Sequence, residues 1–267
     1  MTETVSATEP MIRMGFFLGI LVAMTVWEIL APRRDGDGFR AVRRLNNLGI
    51  VVLNTVLARL ILPATTGGLA LVAEAEGWGL FNLVNVPEWA AVLISVMLLD
   101  LAIYLQHVMF HAVPALWRLH RMHHADTGFD VTTGLRFHPL EILLSAAFKL
   151  ALVLALGPPA LAVLIFEVAL NGTAMFNHSN ARIPVPVDRV LRLFVVTPDM
   201  HRVHHSVHRD ETDANFGFNL PWWDRLLGTY IPQPRDGHDD MTIGLPMFRD
   251  PGENRLDRLV TQPWRQG

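Results

Sequence analysis

Long uncharged runs alternate with short arginine-rich ones along this chain, and that alternation predicts helices that cross a membrane. Apolar stretches occupy about 12–31, 47–72, 88–111, 139–156 and 158–177, each at or near the ~20 residues that a helix needs to span a bilayer core. No stretch shows the strict two-residue alternation of a half-buried strand. The fold predicted is all-α: a multi-pass transmembrane helical bundle of about five spans, with four as the lower count. The first run reads as a retained helix rather than a cleaved signal. Glu3 and Glu9 precede it with only Arg13, and no small-x-small site follows Trp27-Glu28.

The arginines orient the spans. Arg33, Arg34, Arg40, Arg43 and Arg44 crowd the loop after the first run, which marks that loop as cytoplasmic. The far-side segment from Glu74 to Glu88 carries acids and no Lys or Arg. The third span then returns, the Arg118–Arg136 stretch is again basic, and Gly157-Pro158-Pro159 turns a helical hairpin on the far side. The fifth span comes back to the cytoplasm.

That topology puts a histidine-rich chemistry on one face. Ten of the twelve histidines fall between His107 and His205, arranged as His107-x3-His111, His120-x2-His123-His124 and His201-x2-His204-His205, with His138 and His178 between. Spacings of three and four residues place side chains on one helix face. Each His-x2-His-His group therefore suits either three ligands converging together, or two ligands on one metal and one on its neighbour. Neutral imidazole is the commonest biological metal ligand, and eight to ten of them exceed the four to six positions of one ion. The pattern predicts a dinuclear site capping the bundle at its cytoplasmic end.

Composition narrows the chemistry further. Cysteine is absent, which removes disulfides, thiolate zinc sites, cysteine-ligated iron–sulfur clusters and a thiol nucleophile. The formal net charge of −3 argues against a nucleic-acid partner. Ionisable residues inside the spans are costly and are usually paired or functional. Lys149 and Glu167, on opposite arms of the hairpin, lie at similar depth and read as a structural pair. Asp100, Tyr104, His107 and His111 form a narrow stripe of one helix. Asp100 and Tyr104 are expected just behind the ligands, with neutralisation of Arg59 the alternative for Asp100.

From about Asp100 to Tyr230 these residues resemble the fatty acid hydroxylase/sterol desaturase superfamily of membrane di-iron oxygenases. The likeness rests on the three histidine boxes, on Phe137-His138-Pro139-Leu140-Glu141, on Asn177-His178-Ser179-Asn180, on Thr197–Ser206, on Asn215-Phe216-Gly217-Phe218 and on Trp222–Tyr230. The resemblance implies two iron ions, dioxygen as co-substrate, and hydroxylation or desaturation of a lipid, sterol or similar hydrophobic substrate. His107, His111, His120, His123, His124, His201, His204 and His205 match the family's eight-histidine motif. His138 and His178 match additional family histidines; His138 is either a ligand or an organiser of the helix start with Pro139. His208 shares the His201 face, and His238 reads as a solvated loop residue.

The division expected is 1–87 for N-terminal helices and their loop, 88–235 for the metal-binding domain and 236–267 for a tail. With no cysteine and no Gly-x-Gly-x-x-Gly fingerprint, electrons must come from a separate donor, such as a ferredoxin with its reductase or a cytochrome b5-type protein. Arg118, Arg121, Arg202 and Arg209 offer a docking surface for it, or a site for phospholipid head groups. Trp222 and Trp223 either anchor the tail at the membrane interface or pack against the histidine region. Two other readings compete. A zinc-dependent membrane hydrolase needs a general-base Glu inside a box, as in His-Glu-x-x-His, and none is present. A metal transporter would spread ionisable ligands through the bilayer midplane. The setting expected is a bacterial inner membrane, with membrane lipids around the spans.

Overall fold

The computed structural model describes residues 2–35, 40–62 and 64–266, with side chains from Pro10 onward. Every regular element among them is helical, and the only ladder-type contacts are isolated bridges from Pro32 to Ala181 and from Ser206 to Ile243. The long helices are α1 (Thr2–Leu30), α2 (Arg40–Ile61), α3 (Thr66–Glu76), α4 (Glu88–Ala112), α5 (Pro114–His124), α6 (Pro139–Leu156) and α7 (Ala160–Asn177). Shorter ones follow: α8 (Val185–Leu191), α9 (Pro198–His204), α10 (Trp222–Leu227) and α11 (Leu256–Thr261).

Among the described residues five helical segments are long and apolar enough to cross a membrane, with the stretch Arg40–Leu83, which holds α2 and α3, counting as one. Their outward faces are apolar: Leu18, Val22, Val26 and Ile29 on α1, Val52, Val56 and Leu60 on α2, and Leu93 and Ile94 on α4 are all exposed. Polar residues lie inside instead, including Asn47, Asn54, Asp100 and Glu167. That inversion suits hydrocarbon as the surrounding solvent. Helix α7 packs against α1, α3 and α4, while α6 packs against α2 and α3.

The second span departs from the sequence reading. Expected as one helix over 47–72, it runs as α2 to Ile61 and restarts as α3 at Thr66, with Thr65 Oγ1 accepting the Gly68 N–H at 3.0 Å. The other end of α2 is tied to the histidine region. Arg43, placed by sequence in a loop, sits in the first turn of α2 and binds Asp126 at 2.9 Å and also Asp130. Asn47 donates to Asp126 and Thr132, and Asn54 to the Phe137 carbonyl. Much of the ~33 Å of α2 thus runs beside the histidine-bearing end. The remainder of the crossing falls to α3.

Where α3 ends, the chain meets the α6–α7 turn glycine to glycine. A Cβ on Gly157 would stand 2.2 Å from the Trp78 carbonyl, and one on Gly79 2.2 Å from the Gly157 nitrogen. Gly157 also holds φ 58°, a left-handed value that costs a branched residue. Gly157→Val is expected to destabilise the protein by at least ~2 kcal/mol, measured as a lowered melting temperature in detergent.

The C-terminal segment is structural rather than an appendage. Leu259 of α11 is fully buried with Ile50 and Met122. Arg121 donates to the carbonyls of Gln262 and Arg265, Arg118 to that of Pro263, and the buried Arg136 to Met122 O and Asn254 Oδ1. These contacts brace α5, which carries three of the histidines.

Candidate metal centre

Each histidine-bearing helix begins with a defined stop in the chain. Pro114 opens α5, and Thr197 caps α9 with Pro198 following at its first position. Proline there loses no hydrogen bond and presets the helical φ. The short helices so placed aim their imidazoles inward. His107, His111, His120, His124 and His204 gather in one group and His123, His178, His201 and His205 in a second, with the donor atoms of each group within 4.8 Å of one another.

The partition follows helical geometry. In the middle box the i and i+4 members, His120 and His124, join the first group while the i+3 member, His123, joins the second. The last box is reversed: His201 and His205 join the second group and His204 the first. The two groups abut, with the His124 and His205 rings stacked at 4.6 Å.

Hydrogen bonding fixes what those rings can offer. His107 Nδ1 lies 2.7 Å from the Phe216 carbonyl, and His204 Nδ1 lies 2.7 Å from that of Ala214. A carbonyl only accepts, so each Nδ1 carries the proton and each Nε2 of a neutral ring presents a bare lone pair. Those two Nε2 atoms stand 3.1 Å apart. Lone pairs at that distance repel unless a cation lies between them. Nitrogens bound ~2.1 Å from one ion at right angles are separated by roughly 3.0 Å, close to what is seen. His178 repeats the pattern: its Nδ1 donates to Ala174 O at 2.7 Å, and its Nε2 is 3.0 Å from His201 Nε2 and 3.1 Å from His123 Nε2.

A proton is disfavoured in that place. Burial first, then neighbouring imidazoles, push the His123, His124, His201 and His205 rings well below the ordinary histidine pKa. At His204 and His178 burial outweighs the carbonyl bonds, and His178 is lowered to about 3. His205 has no hydrogen-bond partner at either ring nitrogen among the described residues, although it is fully buried. A buried imidazole without partners calls for an explanation, and for one that lies among three other histidines a metal ion supplies it. The donor set therefore fits metal.

Around the ligands stands a second set of partners of the kind that orients metal-bound histidine. His120 Nδ1 donates to Glu141 Oε1 at 2.6 Å and His111 Nδ1 to Asp213 Oδ1 at 3.1 Å. Phe137 stacks on His123 at 4.5 Å, and Trp117 covers His111 and His124. Sequence reading gave Glu141 and Asp213 no role. Glu141 had a signal, its place in the Phe137–Glu141 motif; Asp213 had none. Glu141→Ala is expected to weaken metal retention by about 10–100-fold, read by dialysis against a buffered chelator, with Glu141→Gln less affected.

The remaining expectations sort by contact. His138 stands outside both groups: it caps α6, its Nδ1 accepting the Leu140 N–H, and its Nε2 donates to Val260 O at 3.0 Å. His208 pairs with Asp236 at the surface. His238, read as solvated, is buried 3.8 Å from Asp199, because Arg34 ties its turn to the end of α1. Asp100 does not meet Arg59; it accepts from Asn219 at 2.8 Å and Trp223 at 2.7 Å. Tyr104 OH bonds Thr229 Oγ1, which donates to Asp224. Neither residue bonds a histidine, and both pin the loop that presents the Phe216 carbonyl. Trp223 is thereby a packing residue, whereas Trp222 is partly exposed and donates to Leu193 O. Of the four arginines expected to form a docking surface, Arg202 is fully buried on Asp199 and Phe129, and Arg118 and Arg121 hold the C-terminal segment. Only Arg209 stays exposed without such a tie, over Trp117 and paired with Asp213. Lys149 and Glu167 do pair, at 3.5 Å.

A cavity of about 650 Å³ opens from this centre into the bundle, reaching His107 and His120 at one end and Lys149 and Glu167 at the other.

The fatty acid hydroxylase family model matches residues 92–229. The chain is 31% identical to the ornithine lipid hydroxylase OlsE of Rhizobium tropici over 240 residues, covering 85% of this chain and 69% of that protein. It is 29% identical to the alkylglycerol monooxygenase of Homo sapiens over 163 residues, 57% of this chain but 34% of that one. To the cholesterol 25-hydroxylase of Homo sapiens it is 26% identical over 139 residues, 52% of this chain and 50% of that one. The chain thus spans a third to a half of the length of the latter two. No solved structure matches.

Proposed function

Because the chain belongs to the fatty acid hydroxylase family, we propose that it is a membrane-bound non-haem di-iron oxygenase that hydroxylates a lipid. The observation that carries this reading is the meeting of nine buried imidazoles in two abutting groups at the head of a lipid-depth cavity. The ligands are His107, His111, His120, His124 and His204 for one iron and His123, His178, His201 and His205 for the other. A pair of irons held there would supply the redox chemistry that activates dioxygen against an unactivated C–H bond.

The chain's own residues do the rest. His107, His111, His120, His178 and His204 keep their Nδ1 protons on carbonyl or carboxyl oxygens, which leaves Nε2 free to ligate. Phe137, Phe129 and Trp117 shield the rings and keep bulk water away. Ile103, Phe110 and Phe218 flank the ligand end of the cavity and would hold the carbon to be oxidised. Hydroxylation is favoured over desaturation because the relatives are named as hydroxylases and monooxygenases. A separate protein must deliver the electrons, since the chain has no cysteine and no dinucleotide motif. The arginine-rich ends of the spans support a metal centre on the cytoplasmic side, and the membrane proposed is a bacterial inner membrane.

The test is reconstitution of the iron-loaded protein in vesicles with a ferredoxin and its reductase, under labelled dioxygen. A lipid that gains one labelled oxygen atom, only when reductant is present, is the expected product. Zinc in native material with oxygen-independent hydrolysis would overturn the proposal.

A further inference from the structure

The cavity that leads to the histidines has a mainly apolar wall, but polar side chains interrupt it. Fourteen of its thirty lining residues carry polar side chains, and they lie at two levels. Along α6 the cavity is lined by Glu141, Ser145 and Lys149, spaced i, i+4 and i+8 on one helix face over ~12 Å, with Ile142, Ala146 and Leu150 beside them.

The level beside the ligands offers hydrogen-bond acceptors. Glu141 Oε2 and Asn54 Oδ1 are both buried and have no hydrogen-bond partner among the described residues. Ser145 donates to Gln106 Oε1 at 3.0 Å, which places a further polar pair on the same wall. The distant level is basic in part: Lys149 and Arg59 line it, with Glu167 taking Lys149 and Arg13 and also the Thr66 hydroxyl. Thr55, Arg59 and Thr65 are exposed where they line the cavity, so it opens sideways at the depth of the spans. An alkyl chain or a sterol nucleus filling this space would leave buried acceptors dry, an arrangement proteins avoid.

Resting on the oxygenase reading above, we infer that the cavity takes the polar head of an amphiphile that bears both a hydrogen-bond-donating group, such as an amine, and an anionic group. The donor faces Glu141 and Asn54, the anion faces Lys149 and Arg59, and the acyl chains leave through the lateral opening into the bilayer. The carbon that meets the histidine centre then belongs to the head group rather than to a chain.

Binding tests this without turnover. The full-length protein in nanodiscs of phosphatidylcholine is offered N-palmitoyl-lysine, methyl palmitate or cholesterol, and retained ligand is counted by native mass spectrometry. N-palmitoyl-lysine should be held at least ~10-fold better than the other two, and Ser145→Leu and Lys149→Met should each erase that preference. Equal retention of the three, or an unchanged preference in Ser145→Leu with a wild-type melting temperature, overturns the inference. Ser145→Leu keeps the test open if loss of the Lys149–Glu167 pair unfolds the protein. In the turnover assay, labelled oxygen in acyl-chain fragments overturns this inference and leaves the oxygenase reading standing. No oxygenated product despite preserved head-group binding does the reverse.

Discussion

His204→Ala should lower lipid-oxidising turnover by at least ~100-fold and cut bound metal by about one ion per chain, while membrane insertion stays intact. His204 is fully buried, its Nδ1 is committed to Ala214 O, and its Nε2 approaches that of His107 at 3.1 Å. Truncation deletes one of five donors of the first group and relieves the crowding of the other four. The fold outside the centre keeps its contacts, because the helices pack through apolar residues that the substitution does not touch. His120, His123 and His201 should behave alike, since each is a buried member of one group or the other. The measurements are metal content by elemental analysis, turnover in vesicles and carbonate-resistant membrane association. Retained turnover in two or more of the four variants would remove the ligand assignment. Loss of insertion would make these histidines packing residues.

Asp224→Ala should cost the fold about 2–6 kcal/mol and disturb the metal centre as well. Asp224 is fully buried and accepts from the Phe216 and Gly217 N–H groups at 2.8 and 2.9 Å and from the Thr229 hydroxyl at 2.7 Å. Each buried donor left without a partner costs ~1–3 kcal/mol, and two backbone donors would be stranded. The same loop presents the Phe216 carbonyl that holds His107, so a relaxed loop frees that ring. Thermal melts with and without iron separate the two effects: a purely structural residue would shift both melts equally. Burial also pushes the Asp224 carboxyl up to about 6 from an ordinary value near 3.8. A carboxyl whose folded pKa is raised contributes stability that is full below its unfolded value and is lost as pH rises through the folded one. Asp224→Asn should therefore flatten the fall in stability between about pH 4 and pH 6.

The spans and the histidine boxes were legible because their signals are local. Hydropathy over about twenty residues and spacings of three and four are properties of adjacent positions, and nine of the ten imidazoles they single out gather in the two groups. His138 has the same residue type but a different fate, because both its nitrogens meet backbone groups, one of them at Val260 more than a hundred residues on. The arginines misled for a similar reason. Arg43 and Arg202 look like solvated charge in sequence, yet the buried acids Asp126 and Asp130 and the partly buried Asp199 draw them inside. The division of the second span into α2 and α3 was equally hidden: Asn47 and Asn54 tie α2 to residues about eighty positions away. The bracing role of the last residues belongs to this class too, since a carbonyl oxygen carries no mark of its future donor.

The brevity of α9 has a consequence for how the proposed metal centre would be filled. A helix of seven residues, Pro198–His204, cannot persist alone in water, where about 12–15 residues are marginal. Its two imidazoles, and that of His205 just after it, are therefore assembled only as the surrounding bundle closes on them. Once closed, none of the nine rings is more than 4% exposed, and His123, His178, His201 and His205 do not line the cavity, so an ion arriving late at that group must wait for local unfolding. Occupancy is then decided during biogenesis, and cells starved of iron while the chain is being made should yield protein that later supplementation fills slowly.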